Sequence, residues 1–233
     1  LEQMAQITKK LLNYLDNDDT NNNNTNNNNT QQPSVEVEGK LVDLSGEWES
    51  ISMRDLILKY SDIDIYKSNT KEKLLDKIKE ENIDIDSETP LEDLGYGNLV
   101  DQLYKKVARA NILKPIFLTK HPIELSPLAR ANDEDPSLTD RFQLVINGAE
   151  IINAYSELVD PKEQERRLNE QAKLKDSGDE DAMMMDMDYI EAMEYGMPPI
   201  SGWGIGIDRL VQLLTAAPNI KDCVMFPLMR NKE

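Results

Sequence analysis

The sequence has 233 residues, with 26 Lys and Arg against 44 Asp and Glu for a formal net charge of −18, 39% hydrophobic residues, one Cys (Cys223) and one His (His121). That length suits one core of ordinary domain size with an appendage, while a single Cys excludes an internal disulfide and all but excludes a Cys/His zinc cage. Such a charge repels phosphates, so contact with tRNA or DNA needs a local basic patch or further basic sequence, and no apolar run approaches the roughly 18 residues of a membrane span.

The opening LEQMAQITKKLLNYL places Leu1, Met4, Ile7, Leu11, Leu12 and Leu15 on one side of a helix, and it reads as a chain entered midway through that helix, over residues 1–16. It lacks the basic-then-apolar order of a signal peptide, so a soluble, reducing, cytoplasmic setting is expected. Residues 17–34 follow as an Asn/Thr-rich insert, NDDTNNNNTNNNNTQQPS, with no apolar side chain to offset the entropy of ordering it. SVEVEGKLVDL alternates apolar and polar residues and predicts two short strands turning at Gly39. Helical spacing predicts helices over Ser52 to Tyr60, Lys71 to Asn82 and Leu94 to Ala110, with Ser52 as an N-cap. Pro115, Pro122 and Pro127 then confine an apolar stretch to short extended segments.

Arg141 to Leu158 is the clearest element. Asn147-Gly148, between two β-branched runs, predicts a two-residue hairpin in which Ile146 faces Ala149 and Val145 faces Glu150. Gln143 and Glu150 then lie on one face as diagonal neighbours, two oxygen-bearing side chains that suit Mg²⁺ or else form an exposed polar face. Asn153, Tyr155 and Glu157 share one face by period two, and an amide, a ring and a carboxylate in a row suit a small polar ligand with a cation, unless the face is simply solvated. Parity puts them opposite Glu150, so a single pocket requires a β-bulge near Ile151-Ile152.

Asp160 to Lys175 predicts a charged helix, followed by an acidic stretch whose methionines (Met183, Met184, Met185, Met187, Met193, Met197) read as core or cover residues. In GWGIGIDR, Gly202, Gly204 and Gly206 alternate along a strand and clear one face for a flat ligand, with Asp208 expected to cap the next helix. Arg209 in that helix's first turn opposes the dipole, which favours a binding role over a surface one. Neither a Rossmann fingerprint nor a P-loop is present. His121 has no nucleophile partner in view and Cys223 reads as a small buried hydrophobe. Strands and helices do not alternate as βαβ units, so the expected class is α+β with a mainly antiparallel sheet.

HPIELSPLAR, LTDRFQLVINGAEIINAYSELVDP and EYGMPPISGWGIGIDRLVQLL together resemble the C-terminal half of the catalytic domain of class II lysyl-tRNA synthetases, densely from about Lys114 to Arg230 and more weakly from Val35 to Leu113. GIGIDRL is similar to class II motif 3, and NAYSELVDP and EYGMPP point to the lysine enzyme. The resemblance implies that residues 35–233 are the C-terminal part of a class II synthetase catalytic domain. It implies lysine, ATP, Mg²⁺ and tRNA(Lys) as substrates, cofactor and partner, a homodimer when full length, and neither membrane nor DNA as a partner. Residue by residue, Glu150 would hold Mg²⁺ against ATP phosphates. Asn153, Tyr155, Glu157 and Gly204 would form the lysine pocket, with Glu157 meeting the ammonium group. Glu150, Ile151, Gly206, Ile207, Asp208 and Arg209 would line the ATP site, Arg209 lying against the adenine and near the γ-phosphate. The chain departs from the pattern at Gln143, where a second acidic metal ligand is usual, and it shows no motif 1, motif 2 or anticodon-binding barrel, so the chain alone is expected to turn over little or no substrate. A paralogue that lysylates a protein, or a non-catalytic synthetase-like module, are the other readings.

Overall fold

The apolar alternation of RFQLVI and AEIINAYS builds the centre of the molecule, two antiparallel strands joined by Asn147-Gly148, whose φ values of 47° and 71° are those of a tight hairpin turn. The computed structural model describes Gln6, Lys10 and residues 34–37, 39–45 and 47–227. Apart from Gln6 and Lys10, the expected opening helix (1–16) lies outside the described residues, and so, apart from Ser34, does the Asn/Thr segment (17–34). In chain order the elements are β1 (Ser34–Val37), β2 (Lys40–Asp43), β3 (Glu49–Ser52), α1 (Met53–Ser61), α2 (Lys71–Glu80), α3 (Tyr96–Val107), β4 (Ile116–Thr119), β5 (Arg141–Ile146) and β6 (Ala149–Ser156). Then come α4 (Pro161–Asp176), α5 (Met187–Glu194), β7 (Ser201–Ile205) and α6 (Ile207–Thr215).

β1 and β2 pair as an antiparallel ribbon, and β3-β4-β5-β6-β7 form a five-stranded sheet in that order, antiparallel except for the β3–β4 pair. The class is therefore α+β, as the element order implies. Register sorts side chains onto two faces. Phe142, Leu144, Ile152 and Ala154 join Val35, Val42, Leu44 and Trp48 and the α6 residues Leu210 and Leu213 in one core. On the opposite face, Ile116 and Leu118 of β4 and Val145 of β5 are buried under α1, α2 and α3 through Met53, Leu74, Leu99 and Leu103. The helices cover this face only at its β4 end. Its β5–β7 end stays open, and that opening is the site.

The caps explain the helix limits. Ser52 accepts from the Asp55 N–H at the start of α1 and Asp160 accepts from the Lys162 and Glu163 N–H groups at the start of α4, with Pro161 in the first turn where its missing donor costs nothing. Helix α3 begins two residues later than its apolar spacing suggests, because Gly95 is its N-cap and has no side chain to cap with. Asp179, wholly buried, substitutes: it accepts from Gly95 N at 2.7 Å and from Asn98 Nδ2 at 2.9 Å, a cap delivered from 84 residues away. Asp179→Ala leaves those donors unpaired in the interior and is expected to lower unfolding stability by about 1–3 kcal/mol in urea denaturation; an unchanged midpoint would contradict the capping role.

Candidate active site

On the open end of the sheet, Gln143 pairs with Asn153 and Arg141 with Tyr155, so these four side chains share a face. Between Leu144 and Val145 the register shifts: Leu144 pairs with Ile152 but Val145 with Glu150, leaving Ile151 as the extra residue of a bulge. That shift brings Glu150 onto the face of Asn153 and Tyr155. β7 adds Gly204 opposite Asn153 and Gly202 opposite Tyr155, so the strand offers bare backbone there. The result is a cleft of about 580 Å³ lined by Glu150, Ile151, Asn153, Tyr155, Glu157, Gly202, Gly204, Gly206, Asp208 and Arg209. Of the residues singled out in the sequence, Ile207 stands outside this lining and is exposed, and Gln143 lines a smaller adjoining cavity of about 350 Å³ that shares Glu150 and Arg209.

Each charged group has a distinct anchorage. The Glu157 backbone is held by its N–H to Ile200 O, and the Leu158 N–H donates to Leu128 O. The Glu157 carboxyl is half-buried, and burial pushes its pKa up because no cation among the described residues compensates. A Cβ at Gly202 would overlap Glu157 Oε1, so glycine there sets where the carboxylate rests. Arg209 is exposed and donates through Nη1 to Glu150 O at 2.9 Å, while the Gly206 N–H reaches Ile151 O at 3.0 Å, tying the start of α6 to the bulge. Gly206, not Asp208, is the N-cap of α6; Asp208 lies in its first turn, where its charge still favours the helix dipole.

Arg141 was not singled out from the sequence, although its place two residues before Gln143 puts a cation on the site face. It donates from Nε to Asn153 Oδ1 at 3.0 Å and from Nη1 to Ser126 Oγ at 2.8 Å. Burial draws its pKa below the ordinary value, with Glu150 and Asp101 pulling it back up. By occupying the Asn153 oxygen, Arg141 leaves the Asn153 amide donors for a ligand.

His121, fully buried, has its pKa pulled down to about 3, first by burial and then by Arg141, so the ring is neutral. Its Nε2 lies 3.2 Å from Gln143 Oε1, and since that oxygen only accepts, the ring carries its proton on Nε2. Gln143 Nε2 donates to Glu150 Oε2. Gln143 therefore turns a donor toward Glu150 and offers no oxygen to a cation there. Among the described residues no group of three or more His, Cys, Asp or Glu is placed to hold a metal ion. Glu150 fits Mg²⁺ as a single carboxylate beside phosphate oxygens, the way this ion usually binds; Gln143 does not fit as its second ligand. Cys223 is half-exposed in a single turn of 3-10 helix, not buried, and Met183, Met184 and Met187 are exposed where the sequence suggested cover residues, while Met193 is buried.

A family model described as tRNA synthetases class II (D, K and N) matches residues 1–230. The chain belongs to this family. It is 46% identical over 189 residues to a lysine–tRNA ligase of Thermosipho africanus, covering 81% of this chain and 36% of that protein. A lysine–tRNA ligase of Bacillus cereus is 43% identical over 192 residues, covering 82% of this chain and 38% of that protein. The chain thus spans little more than a third of the length of these curated relatives. Membership accounts for the α+β class.

Placing a carboxylate at Gln143 tests the metal assignment. Gln143→Glu sets two carboxylates side by side, and Mg²⁺ affinity measured by calorimetric titration is expected to rise at least about tenfold. Unchanged affinity would show that this position lies outside the metal's reach.

Proposed function

We propose that this chain supplies the lysine pocket and part of the ATP site of a lysine–tRNA ligase, which activates lysine as lysyl-adenylate and transfers it to tRNA(Lys). The observation that carries this reading is the Glu157 carboxylate, half-buried and without a cation among the described residues, in the same cleft as Glu150 and Arg209. A carboxylate held this way is completed by an ammonium group, and lysine provides one at the end of a chain long enough to leave its α-amino acid end near Asn153. Lysine–tRNA ligase relatives and the class II family agree with this choice of substrate.

In this reading lysine lies along β6 with its ammonium group against Glu157, Tyr155 walling one side and Gly204 passing beneath it. Its carboxylate faces the nucleotide and attacks the α-phosphate of ATP in line; the bond from that phosphorus to the bridging oxygen breaks, giving lysyl-adenylate and pyrophosphate. The terminal ribose hydroxyl of tRNA(Lys) then takes the lysyl group and AMP leaves. Mg²⁺, held by Glu150 and the phosphates, would offset charge on the triphosphate. Arg209, fixed by its bond to Glu150 O, holds its guanidinium over the nucleotide, and Arg141 holds Asn153 in the orientation that meets lysine. The protein's contribution is placement and charge stabilisation, set before the reaction begins. A homodimer and a cytoplasmic setting belong to the same reading. No helix among the described residues is long and apolar enough to cross a membrane.

The test is lysine-dependent exchange of pyrophosphate into ATP by the full-length protein. Glu157→Gln is expected to raise the lysine KM at least about thirtyfold, on the order of 2 kcal/mol, with the KM for ATP little changed. An unaltered lysine KM would remove Glu157 from the pocket. Gly202→Ala, which pushes the carboxylate aside, should raise the lysine KM about tenfold. Because burial lifts the Glu157 carboxyl above its ordinary 4.5, lysine affinity should begin to fall on acidification at a pH above that value, as the carboxylate takes up a proton. Calorimetry across pH 4 to 8 checks this, and affinity that stays flat down to ~4.5 would contradict it.

A further inference from the structure

Helix α4 buries polar side chains where a helix packed on a domain usually buries apolar ones. Gln164, Arg167 and Gln171 recur at helical spacing, so they share one face, and all three are buried. Each donates to a main-chain carbonyl of a single segment. Gln164 Nε2 reaches Pro127 O at 3.2 Å, Arg167 Nη1 reaches Ala129 O at 2.7 Å and Gln171 Nε2 reaches Glu124 O at 3.4 Å. Residues 126–130 form no helix or strand beyond an isolated bridge, so these ties give the segment its shape.

The same segment pairs with the chain at Glu157. Ala129 bridges Glu157 in antiparallel sense, flanked by the Arg130 N–H to Ser156 O at 2.7 Å and the Leu158 N–H to Leu128 O at 2.9 Å. Because the flanking residues make these bonds, Ala129 and Glu157 are a non-hydrogen-bonded pair, the kind whose side chains stand closest together and whose own polar groups turn outward. The Glu157 N–H accordingly turns to Ile200 O at 3.0 Å, and the Ala129 carbonyl turns to Arg167.

Arg167 is the strongest of the three ties. Its guanidinium, 5% exposed, also donates from Nε to Glu163 Oε1 at 2.8 Å, so its plane is fixed at two points and its charge is met inside α4. The Glu157 carboxyl is different: burial alone shifts it, so main chain and packing, not a charged partner, set where it stands. A group that recognises a cation needs placement to within about 0.5 Å.

We propose that Arg167 is the positioning residue of the lysine pocket. It is not among the residues lining the cleft, and it acts by fixing the Ala129 carbonyl and with it the segment against which Glu157 is set. The proposal rests on Glu157 being the seat of the lysine ammonium group, and it adds the element that holds that seat.

The experiment is calorimetric titration of the full-length protein with L-lysine and, separately, with ATP. Arg167→Met keeps the apolar stem and removes the donors; it is expected to weaken lysine at least fivefold and ATP less than twofold. Arg167→Lys, which restores a charge and a donor, should return lysine affinity to within threefold of the parent. In a Glu157→Gln background, where the seat is already lost, Arg167→Met should cost less than a further twofold. Asp179→Ala, which removes a buried cap elsewhere, should leave both affinities within twofold. Unchanged lysine affinity in Arg167→Met, or equal losses for lysine and ATP, would overturn the positioning role. So would a fivefold loss that persists in the Glu157→Gln background, or one reproduced by Asp179→Ala. If Arg167→Met does not fold, Gln164→Met, which cuts only the tie to Pro127 O, carries the same comparison: a lysine-selective loss of at least threefold is expected, and none would overturn the proposal. Lysine affinity unaltered by Glu157→Gln alone would sink the proposal together with the reading beneath it.

Discussion

A single extra residue in β6 controls the chemistry of this molecule. Strand side chains alternate with a period of two, so without a bulge Glu150 would face away from Asn153, Tyr155 and Glu157. Ile151 has no partner across the hairpin, and the parity changes there. Two carboxylates then line one cleft: Glu150, whose backbone oxygen accepts from Arg209, and Glu157 just beyond the end of β6. The same residue turns its own side chain into the hydrophobic core, 2% exposed, so the bulge is held by packing as well as by the Gly206 N–H to Ile151 O bond. Packing and backbone pairing thereby hold the bulge, and with it the position of Glu150.

Around that constraint the site is assembled from omissions as much as from side chains. β7 presents Gly204 and Gly202 to the cleft, and at 202 the space a methyl would fill is taken by the Glu157 carboxylate. The cations are kept from neutralising Glu157: Arg209 is tied to the Glu150 backbone and Arg141 to Asn153 and Ser126. A half-buried anion without a cation among the described residues is costly to the folded chain, and the ammonium group of the proposed function would offset that cost. His121, Gln143 and Glu150 form a short chain of polar contacts in which the neutral ring orients the amide and the amide orients the carboxylate. At Gln143 the amide donates to Glu150 and accepts from His121, so this position turns a donor, not a charged oxygen, toward Glu150.

Much of this was legible in the sequence because it depends on local rules. The Asn-Gly turn fixes the hairpin register and the register places Glu150 opposite Val145; if Glu150, Asn153, Tyr155 and Glu157 are to share one pocket, period-two reasoning then requires a bulge near Ile151-Ile152, where the register does shift. Ser52 and Asp160 announce helix starts through their own side chains. What escaped depends on contacts far apart in the chain. Gly95 gives no local capping signal because its cap is Asp179. Asp208 has the right chemistry for a cap, yet the α6 cap falls at Gly206, where the backbone bonds to the bulge. Arg141 sits on the site face by simple parity, but its task of holding Asn153 appears only when β5 and β6 are paired. The methionines carry no periodic signal, and whether they cover a core or line a cavity depends on where α4 and α5 meet the end of β6.

The account depends on one cleft holding an ammonium group at Glu157 and a nucleotide at Glu150 and Arg209 together. The most direct measurement is a crystal structure of the full-length protein with lysine and a non-hydrolysable ATP analogue. The account predicts the lysine ammonium within hydrogen-bonding distance of Glu157 and the triphosphate beside Glu150, with the Arg209 guanidinium against the nucleotide. Lysine bound with its ammonium group elsewhere, or a nucleotide seated away from the bulge, would contradict it.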